Sequence, residues 1–468
     1  MSLEIARTIA GIVRAEAGRA LIVGGWVRDQ LLGRPSKDVD IEVYGIPADR
    51  LRTLLSRIGP VNTVGESFTV YKVSDVDVSL PRTESKVGRG HRAFAVTGDP
   101  ALSPAIAARR RDFTINAIAL DPLTDEYLDF YGGIPDLRRG LLRAVDPGTF
   151  PEDSLRVLRA IQFAARFEFE LDPGTRDLCR RIPLDDLPAE RIWGEIEKLL
   201  LQAQRPSIGL ALALDLGVLD RLFPELKALV GCPQEPEWHP EGDVWIHTLM
   251  VVDQARTRLA DLPHPQQVTV MLGALCHDLG KPPTTAFVEG RIRSMDHEQA
   301  GIAPALAVLD RLNVHTIGGF DVRHHVVGIT AHHLKPLSFF KSGTPVGDGA
   351  FRRLAQKVDL ELLARVALSD CLGRTGRFDC SGITWFLERA RELGVEHKPP
   401  APILMGRHLL DLGVPPGPRM GQILREVYDR QLDGRVATLD EAIASARDIV
   451  SRPAPPANVP YESTKRPS

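Results

Sequence analysis

The chain lacks any apolar run of membrane-spanning length, and Glu4 and Arg7 fall where a secretion signal would need its hydrophobic region. No membrane partner is expected, and the expected location is the cytoplasm. Cysteine is scarce. Cys179, Cys232, Cys276, Cys371 and Cys380 are odd in number, scattered and without CxxC spacing. That pattern predicts free thiols in a reducing compartment and argues against a disulfide framework. Excess charge is missing too: 58 Lys and Arg oppose 61 Asp and Glu, for a net charge of −3. A molecule basic all over is excluded, so any surface for a polyanion has to be local. No internal repeat is found. The remaining composition, 43% hydrophobic and 25% charged, is ordinary for a globular protein. The length of 468 residues allows about two to four domains.

One stretch organises the rest. Gly24-Gly25-Trp26-Val27-Arg28-Asp29 runs on to Lys37-Asp38-Val39-Asp40. Leu21-Ile22-Val23 reads as a short buried strand, and Val27 to Leu32 as a helix opening after the glycines. A glycine turn at a helix start brings backbone N–H groups towards an anion. Val39, Ile41 and Val43 then alternate with Asp38, Asp40 and Glu42, which puts three acids on one strand face. A lone GG is more often only a turn, and a lone DxD only a solvated face. Together and in this order they point to a divalent-metal site for phosphoryl or nucleotidyl transfer. Glu42 reads as a bystander on that face.

Ala48 to Ile58 has a helix pattern, and Phe68 to Val73 and Val76 to Leu80 read as strands. Asp77 is either a third carboxylate beside Asp38 and Asp40 or an exposed strand acid; the pattern leaves both open. Residues 82–111 read as a long basic loop with seven Lys or Arg and two acids. It includes Arg82-Thr83-Glu84-Ser85-Lys86 and Gly88-Arg89-Gly90-His91-Arg92. Such a loop suits a triphosphate or another polyanion, or is simply solvated. In the segment Arg109 to Ala119, helical spacing turns Ile115, Ile118 and Ala119 inward. Arg111, Asp112 and Asn116 are left facing a substrate. Tyr131-Gly132-Gly133-Ile134-Pro135-Asp136-Leu137 reads as a turn into another short element.

From about residue 141 the pattern is helical. Phe150-Pro151-Glu152-Asp153 reads as a helix start, with proline in the first turn and acids at the positive end of the dipole. Asp153, Arg156, Arg159, Phe163 and Arg166 then share one helical stripe. The Asp153–Arg156 spacing permits an intrahelical salt bridge. A carboxylate beside a guanidinium also offers an acceptor and donors to a base edge. Ten of the thirteen histidines lie between His239 and His333. His247, the His277-Asp278 pair in Leu275-Cys276-His277-Asp278-Leu279-Gly280-Lys281 and the late Asp370 can converge on one divalent ion, with His297 and the His332-His333 pair also at long spacing; each histidine alone is more often a polar core or surface residue. The mix of imidazole and carboxylate suits a transition metal or magnesium. A helical tail follows, and the proline-rich end reads as disordered.

These motifs, with Glu152-Asp153-Ser154-Leu155-Arg156 and Gly132-Gly133 with Asp136, resemble in order and spacing the class II tRNA nucleotidyltransferases. Those are the bacterial CCA-adding enzymes and their poly(A) polymerase relatives. The segments around His247 and His277 resemble the HD phosphohydrolase domain fused to some members. The resemblance implies an α+β, polymerase-β-like palm followed by an all-α neck and body and an all-α HD domain. The expected boundaries are 1–140 for the head, 141–230 for the neck and body, 231–385 for the HD domain, 386–452 for the tail and 453–468 for the disordered end. It implies addition of CMP and AMP from CTP and ATP to the tRNA 3′ end, through its acceptor and T arm, with Mg²⁺ and no template.

The resemblance carries roles residue by residue. Asp38 and Asp40 match the Mg²⁺ carboxylates. Gly24, Gly25 and Arg28 match the triphosphate-binding turn. Arg111, Asp112 and Asn116 match a ribose and phosphate motif. Asp153 and Arg156 match the base-reading pair, with Arg159 also on the nucleotide side. His247, His277, Asp278 and Asp370 match the HD ligands of a divalent metal such as Mg, Mn, Ni or Co, with His297 and His332 as further ones. The HD resemblance implies hydrolysis of 2′,3′-cyclic or terminal phosphates in 3′-end repair. One departure stands out: Ser103 to Ala108 lacks the acid that many CCA-adding members carry before Arg110-Arg111-Asp112. A CC-only enzyme and a poly(A) polymerase are therefore the same-family alternatives. An HD phosphohydrolase with a regulatory nucleotide-binding half is the alternative of another class. Monomer and homodimer both stay open.

Overall fold

A computed structural model describes residues 2–36, 38–64, 70–86, 94–342 and 346–452. Lys37, the Gly88–Arg92 segment, Phe68 and the proline-rich end read above as disordered lie outside the described residues. By contacts the chain divides into two units, Met1–Ala331 with Leu372–Arg377, and His332–Cys371 with Phe378–Ser468.

The first unit opens on helix α1, Ser2–Ala15, and then a sheet. Its strands are β1 Arg19–Val23, β2 Val39–Tyr44, β3 Val61–Val64, β4 Val70–Val73 and β5 Val76–Ser79. Strands β6 Arg82–Lys86 and β7 Phe94–Gly98 form a separate antiparallel ladder. Strands β8 Ala119–Asp121 and β9 Glu126–Leu128 complete the sheet in the order β3-β4-β5-β2-β1-β8-β9. Alternation decides the faces. Ala20, Ile22, Val39, Ile41, Val43, Val76 and Val78 pack with α1 and with α3, Ala48–Leu55. Leu21, Val23 and Tyr44 pack on the other face with Ala107 of α4, Pro104–Arg109. Each fully buried aliphatic side chain of this kind contributes about 1.5–3 kcal/mol. Asp40 lies opposite Val23, and Glu42 opposite Leu21, so both acids project on the α4 side.

Helix α2, Gly25–Leu31, starts directly after β1, as read from the sequence. Residues 82–111 are not one loop but the β6–β7 ladder and α4; the β-prone Phe94-Ala95-Val96-Thr97 run supplies the second strand. Residues 112–119 are not one helix. A 3₁₀ turn covers Thr114–Asn116 and Ala119 already opens β8. After α5, Gly133–Arg139, helix α6 runs Leu155–Phe167. Pro151 sits in a 3₁₀ turn, Phe150–Glu152, and Asp153 is extended at φ −119° and ψ 104°, so Asp153 is not on the helical stripe expected for it. The rest of the first unit is largely helical apart from short hairpins and a parallel pairing of Leu141–Leu142 with Glu170–Leu171, and includes Ala189–Gln202, Pro206–Asp215, Val244–Arg256 and His264–Cys276.

In the second unit Leu404, Leu409, Val414, Ile423, Val427 and Ile449 form the core of the C-terminal helices. The expectation of five free thiols is corrected here. Cys371 and Cys380 form a disulfide, because the end of helix Leu360–Leu372 and the start of helix Ser381–Glu392 return to one another. Cys179, Cys232 and Cys276 are free and buried. Among the described residues no helix is long and apolar enough to cross a membrane.

Candidate functional site

The cleft begins at Gly24, whose φ of 76° favours glycine. A Cβ there would meet Arg111 Nη1 at 3.3 Å and Asp40 Oδ2 at 3.5 Å, so the turn is crowded by both charges. Asp40 is paired in register with Asp77 on the parallel neighbour β5, while Asp38 is exposed just before β2. Asp77 also meets Lys72 Nζ at 3.5 Å. The protein around Asp40 displaces water and raises its carboxyl above the usual range; Arg111 opposes this, and Asp77, Asp38 and Glu42 add to it. A group of carboxylates with crowded negative charge suits a hard, oxygen-seeking divalent cation.

Glu42 is not a bystander. It is buried, and its Oε1 accepts from Arg110 Nη2 at 2.8 Å and Arg111 Nη2 at 3.0 Å. Its Oε2 accepts from the Tyr44 hydroxyl at 2.7 Å. Against the cost of burial, the two guanidiniums and the hydroxyl hold its carboxyl below the usual range. Burial, and then the charge and hydrogen bond of Glu42, push the Tyr44 phenol up against the two arginines.

A second buried chain of contacts runs from α2 to α6. Arg28 donates to Asp29 Oδ1 through Nε at 2.9 Å and Nη2 at 2.8 Å, and to Asn116 Oδ1 through Nη1 at 2.7 Å. Its guanidinium lies 4.6 Å from the Phe167 ring centroid and 5.3 Å from that of Phe163, both on α6. A desolvated cation on a ring is worth up to about 2 kcal/mol. Asn116 Nδ2 donates to Asp112 Oδ1 at 2.9 Å, and Arg159 Nε to Asp112 Oδ2 at 2.6 Å. Burial works against the Asp112 carboxylate, and Arg159 and Asn116 overcome it, leaving the group below its ordinary value.

Arg156 donates from Nη1 to Thr149 O at 2.9 Å and from Nη2 to Arg110 O. Asp153 accepts from Leu155 N–H at 3.1 Å and from Arg191 Nη2 at 3.1 Å. The Asp153–Arg156 salt bridge permitted by the spacing is replaced by these contacts. Gly24, Gly25, Arg28, Asp40, Asp112, Asn116, Asp153, Arg156 and Arg159 line one cleft of about 320 Å³ together with Arg82, Arg110 and Arg111. Sequence reasoning passed over Arg82 and Arg110 as site residues although it quoted their motifs. Arg191, on a helix more than thirty residues away in the chain, carried no local signal.

A second cluster forms within the first unit. His277 Nδ1 is 2.8 Å from Ala274 O, and His297 Nδ1 is 2.8 Å from Ser294 O. Carbonyls only accept, so Nδ1 of each ring donates there and Nε2 is the nitrogen turned towards Asp278. Those Nε2 atoms lie 3.1 Å from Asp278 Oδ2 and 3.5 Å from Asp278 Oδ1. Lys281 Nζ reaches Asp278 Oδ2 at 2.7 Å. Despite complete burial, His277, Lys281 and His297 hold the Asp278 carboxyl well below the carboxylate range. His247 Nε2 is 3.9 Å from Asp278 Oδ2, and its Nδ1 is 2.8 Å from Glu241 Oε1. Glu241 also meets His239 Nδ1 at 2.9 Å. Burial raises the Glu241 carboxyl, but the two histidines and backbone N–H groups bring it down to about 2. A Cβ on Gly280 would sit 1.9 Å from His297 O, so glycine alone lets the His297 segment close on Asp278. Imidazole nitrogens and a carboxylate facing inward fit a divalent transition metal or magnesium. His239 and Glu241 were missed in the sequence. Asp370 and His333 are buried in the second unit, where burial beside Lys357 and Lys335 brings His332 down to about 4.

A family model described as the poly A polymerase head domain matches residues 20–143. A second, described as a probable RNA and SrmB-binding site of polymerase A, matches residues 168–229. The chain is 43% identical over 302 residues to the multifunctional CCA protein of Xanthomonas campestris, covering 63% of this chain and 70% of the relative. With the multifunctional CCA protein of Mannheimia succiniciproducens it shares 37% identity over 375 residues, 76% of this chain and 84% of the relative. Among solved structures, the Bacillus stearothermophilus CCA-adding enzyme in complex with CTP aligns with a TM-score of 0.61 at 20% identity, over 96% of this chain and 97% of that one. The Thermotoga maritima CCA-adding enzyme complexed with tRNA aligns with a TM-score of 0.57 at 18% identity, over 96% and 95%. At that identity the likeness speaks for the fold, an N-terminal mixed sheet with helices followed by a largely helical body.

Proposed function

The chain belongs to the family of the multifunctional CCA proteins, and from that membership we propose that it adds CMP, CMP and AMP to the tRNA 3′ end from CTP and ATP. The observation that carries this reading is the single cleft in which the carboxylate of Asp40, the arginines 110 and 111 and the pair Asp153 and Arg156 all meet. Asp38, Asp40 and Asp77 would hold Mg²⁺, which when bound helps activate the primer hydroxyl and stabilises the leaving pyrophosphate. The turn at Gly24 and Gly25 and the arginines 28, 110 and 111 receive the triphosphate. Asp112, Asn116 and Arg159 form a rigid, charge-balanced wall against the ribose and phosphates. CTP and ATP both present an exocyclic amino donor next to a ring acceptor, and Asp153 and Arg156 complement that edge. UTP and GTP present other patterns, and a site built on hydrogen bonds rejects them. This reading divides the chain into a head of 1–140, a neck and body of 141–230, an HD domain of 231–385 and a tail of 386–452, acting in the cytoplasm.

The test is incubation with tRNA that ends before CCA, offering CTP, ATP and both, with product lengths read on a gel. Three added residues only when both nucleotides are present supports the reading. Two residues from CTP alone and nothing further marks a CC-adding enzyme, and a long ladder from ATP marks a poly(A) polymerase.

The inward-facing imidazoles around Asp278 favour a second activity. We propose that His247, His277, Asp278 and His297 hold a divalent metal for hydrolysis of 2′,3′-cyclic or terminal phosphates. One protein would then trim a damaged 3′ end and rebuild it.

A further inference from the structure

Glu42 carries a charge that the reaction as described does not use. It is buried beneath the cleft, two residues along β2 from Asp40, and both lie on the α4 side of the sheet. One of its oxygens takes both Arg110 and Arg111. Arg111 reaches it only through Nη2, while its Nη1 lies against Gly24 beside Asp40 Oδ2. Arg111 therefore stands between two carboxylates. One is buried and paired, and the other is the proposed cation ligand.

A guanidinium and a divalent cation compete for the same carboxylate oxygens. A carboxylate that closes a fork with arginine offers its lone pairs in the plane that a cation needs. We infer that Glu42 is a positioning residue that holds Arg111 off Asp40, so that the Asp40 carboxylate stays open to a divalent cation while Arg111 still faces the triphosphate. This inference rests on the transferase reading above. Without the Glu42 charge, Arg111 is left with the Asp40 carboxylate, whose Oδ2 meets the same point at Gly24 as Arg111 Nη1. The arginine swings onto it and competes with the metal. Tyr44, which donates to the second Glu42 oxygen, keeps the anchor oriented.

The test reads metal binding rather than turnover. Mn²⁺ is titrated into the full chain without nucleotide and free Mn²⁺ is counted by electron paramagnetic resonance. The measurement is made in a His277→Ala background to silence the second cluster, with Asp40→Asn as the zero for this site. Glu42→Gln is expected to weaken the Asp40-dependent site by about ten- to a hundredfold, the usual effect of losing a partner behind a metal ligand. Adding Arg111→Gln to Glu42→Gln is expected to restore it. A merely structural role for Glu42 would not be rescued by removing Arg111. Wild-type affinity in Glu42→Gln, or failure of the double variant to recover, overturns the inference. If Glu42→Gln does not fold, Glu42→Asp serves in its place. It keeps the charge but falls short of Arg111, and the same loss and the same rescue are expected. Absence of any Asp40-dependent site in the parent overturns the metal reading itself, and incorporation of CMP and AMP by the wild type is scored separately.

Discussion

The Asp153 carboxylate accepts Arg191 Nη2 at 3.1 Å, while Arg156, one turn further on, gives its guanidinium to the backbone carbonyls of Thr149 and Arg110. Acceptor and donor are thus held by separate supports, the acceptor from helix Ala189–Gln202 and the donor from the loop before α6 and the residue that ends α4. The two proposed base-reading groups are kept from neutralising one another.

Removing either reader should relax nucleotide choice more than it harms folding. Asp153→Ala and Arg156→Ala are expected to erode the preference for CTP and ATP over UTP and GTP, and Arg191→Ala to cost about tenfold of it by freeing Asp153. Competition assays with all four nucleotides measure this. Unchanged selectivity in both Asp153→Ala and Arg156→Ala would remove them from base reading.

The two proposed activities should separate. His277→Ala is expected to abolish opening of 2′,3′-cyclic phosphodiesters to the monoester, and release of phosphate from terminal monoesters, and to leave CMP incorporation largely intact. Gly280→Ala forces a Cβ onto His297 O and should lower hydrolysis by about ten- to a hundredfold through displacement of His297. Joint loss of both activities in a folded His277→Ala protein would argue against separate sites.

His325 stacks on Phe320 at 4.7 Å, and burial beside His324 lowers its pKa from 6.5 to about 4. The unfolded chain therefore binds more protons than the folded one between those values, and stability rises with pH through that window. As the pH falls from 6.5 to 4, the protein is expected to lose about 1–2 kcal/mol from this group, solvent screening included. His325→Phe should flatten that part of the curve. Identical pH slopes for variant and wild type, followed by chemical denaturation, would contradict it.

The Cys371–Cys380 bond closes a loop with a sequence separation of 9. By loop-closure entropy its loss should cost about 2–3 kcal/mol. Cys371→Ser with Cys380→Ser, or reduction of the wild type, is expected to speed hydrogen exchange in helices Leu360–Leu372 and Ser381–Glu392. Equal protection with and without reductant would show that the bridge does not form in solution.

Much of the cleft was legible because its motifs are short and local. Gly24 and Gly25 end a strand of buried aliphatics, and Asp38 and Asp40 flank the first valine of the next. Register across β2 and β5 then brought Asp77 level with Asp40, a relation between strands that neither strand's own pattern contains. The errors also have physical causes. Helical spacing was extended through Asp153, but Pro151 and the extended Asp153 backbone delay the helix to Leu155. Glu42 reads as a bystander because alternation puts it on the face of Asp38 and Asp40 but does not say what covers that face.

By itself the sequence supplied the residues whose types can carry chemistry and their order: the glycine turn, the DxD strand, the Arg-Arg-Asp turn and the histidine series. Side-chain type and short-range periodicity are local properties, and they survive without a fold. Only the tertiary structure decided the pairings. Glu42 took Arg110 and Arg111, Asp153 took Arg191, Glu241 took its two histidines, and Cys371 took Cys380. A buried charge must find a partner wherever the folded chain brings one within hydrogen-bond reach, and that proximity is set by packing between distant elements rather than by spacing along the chain.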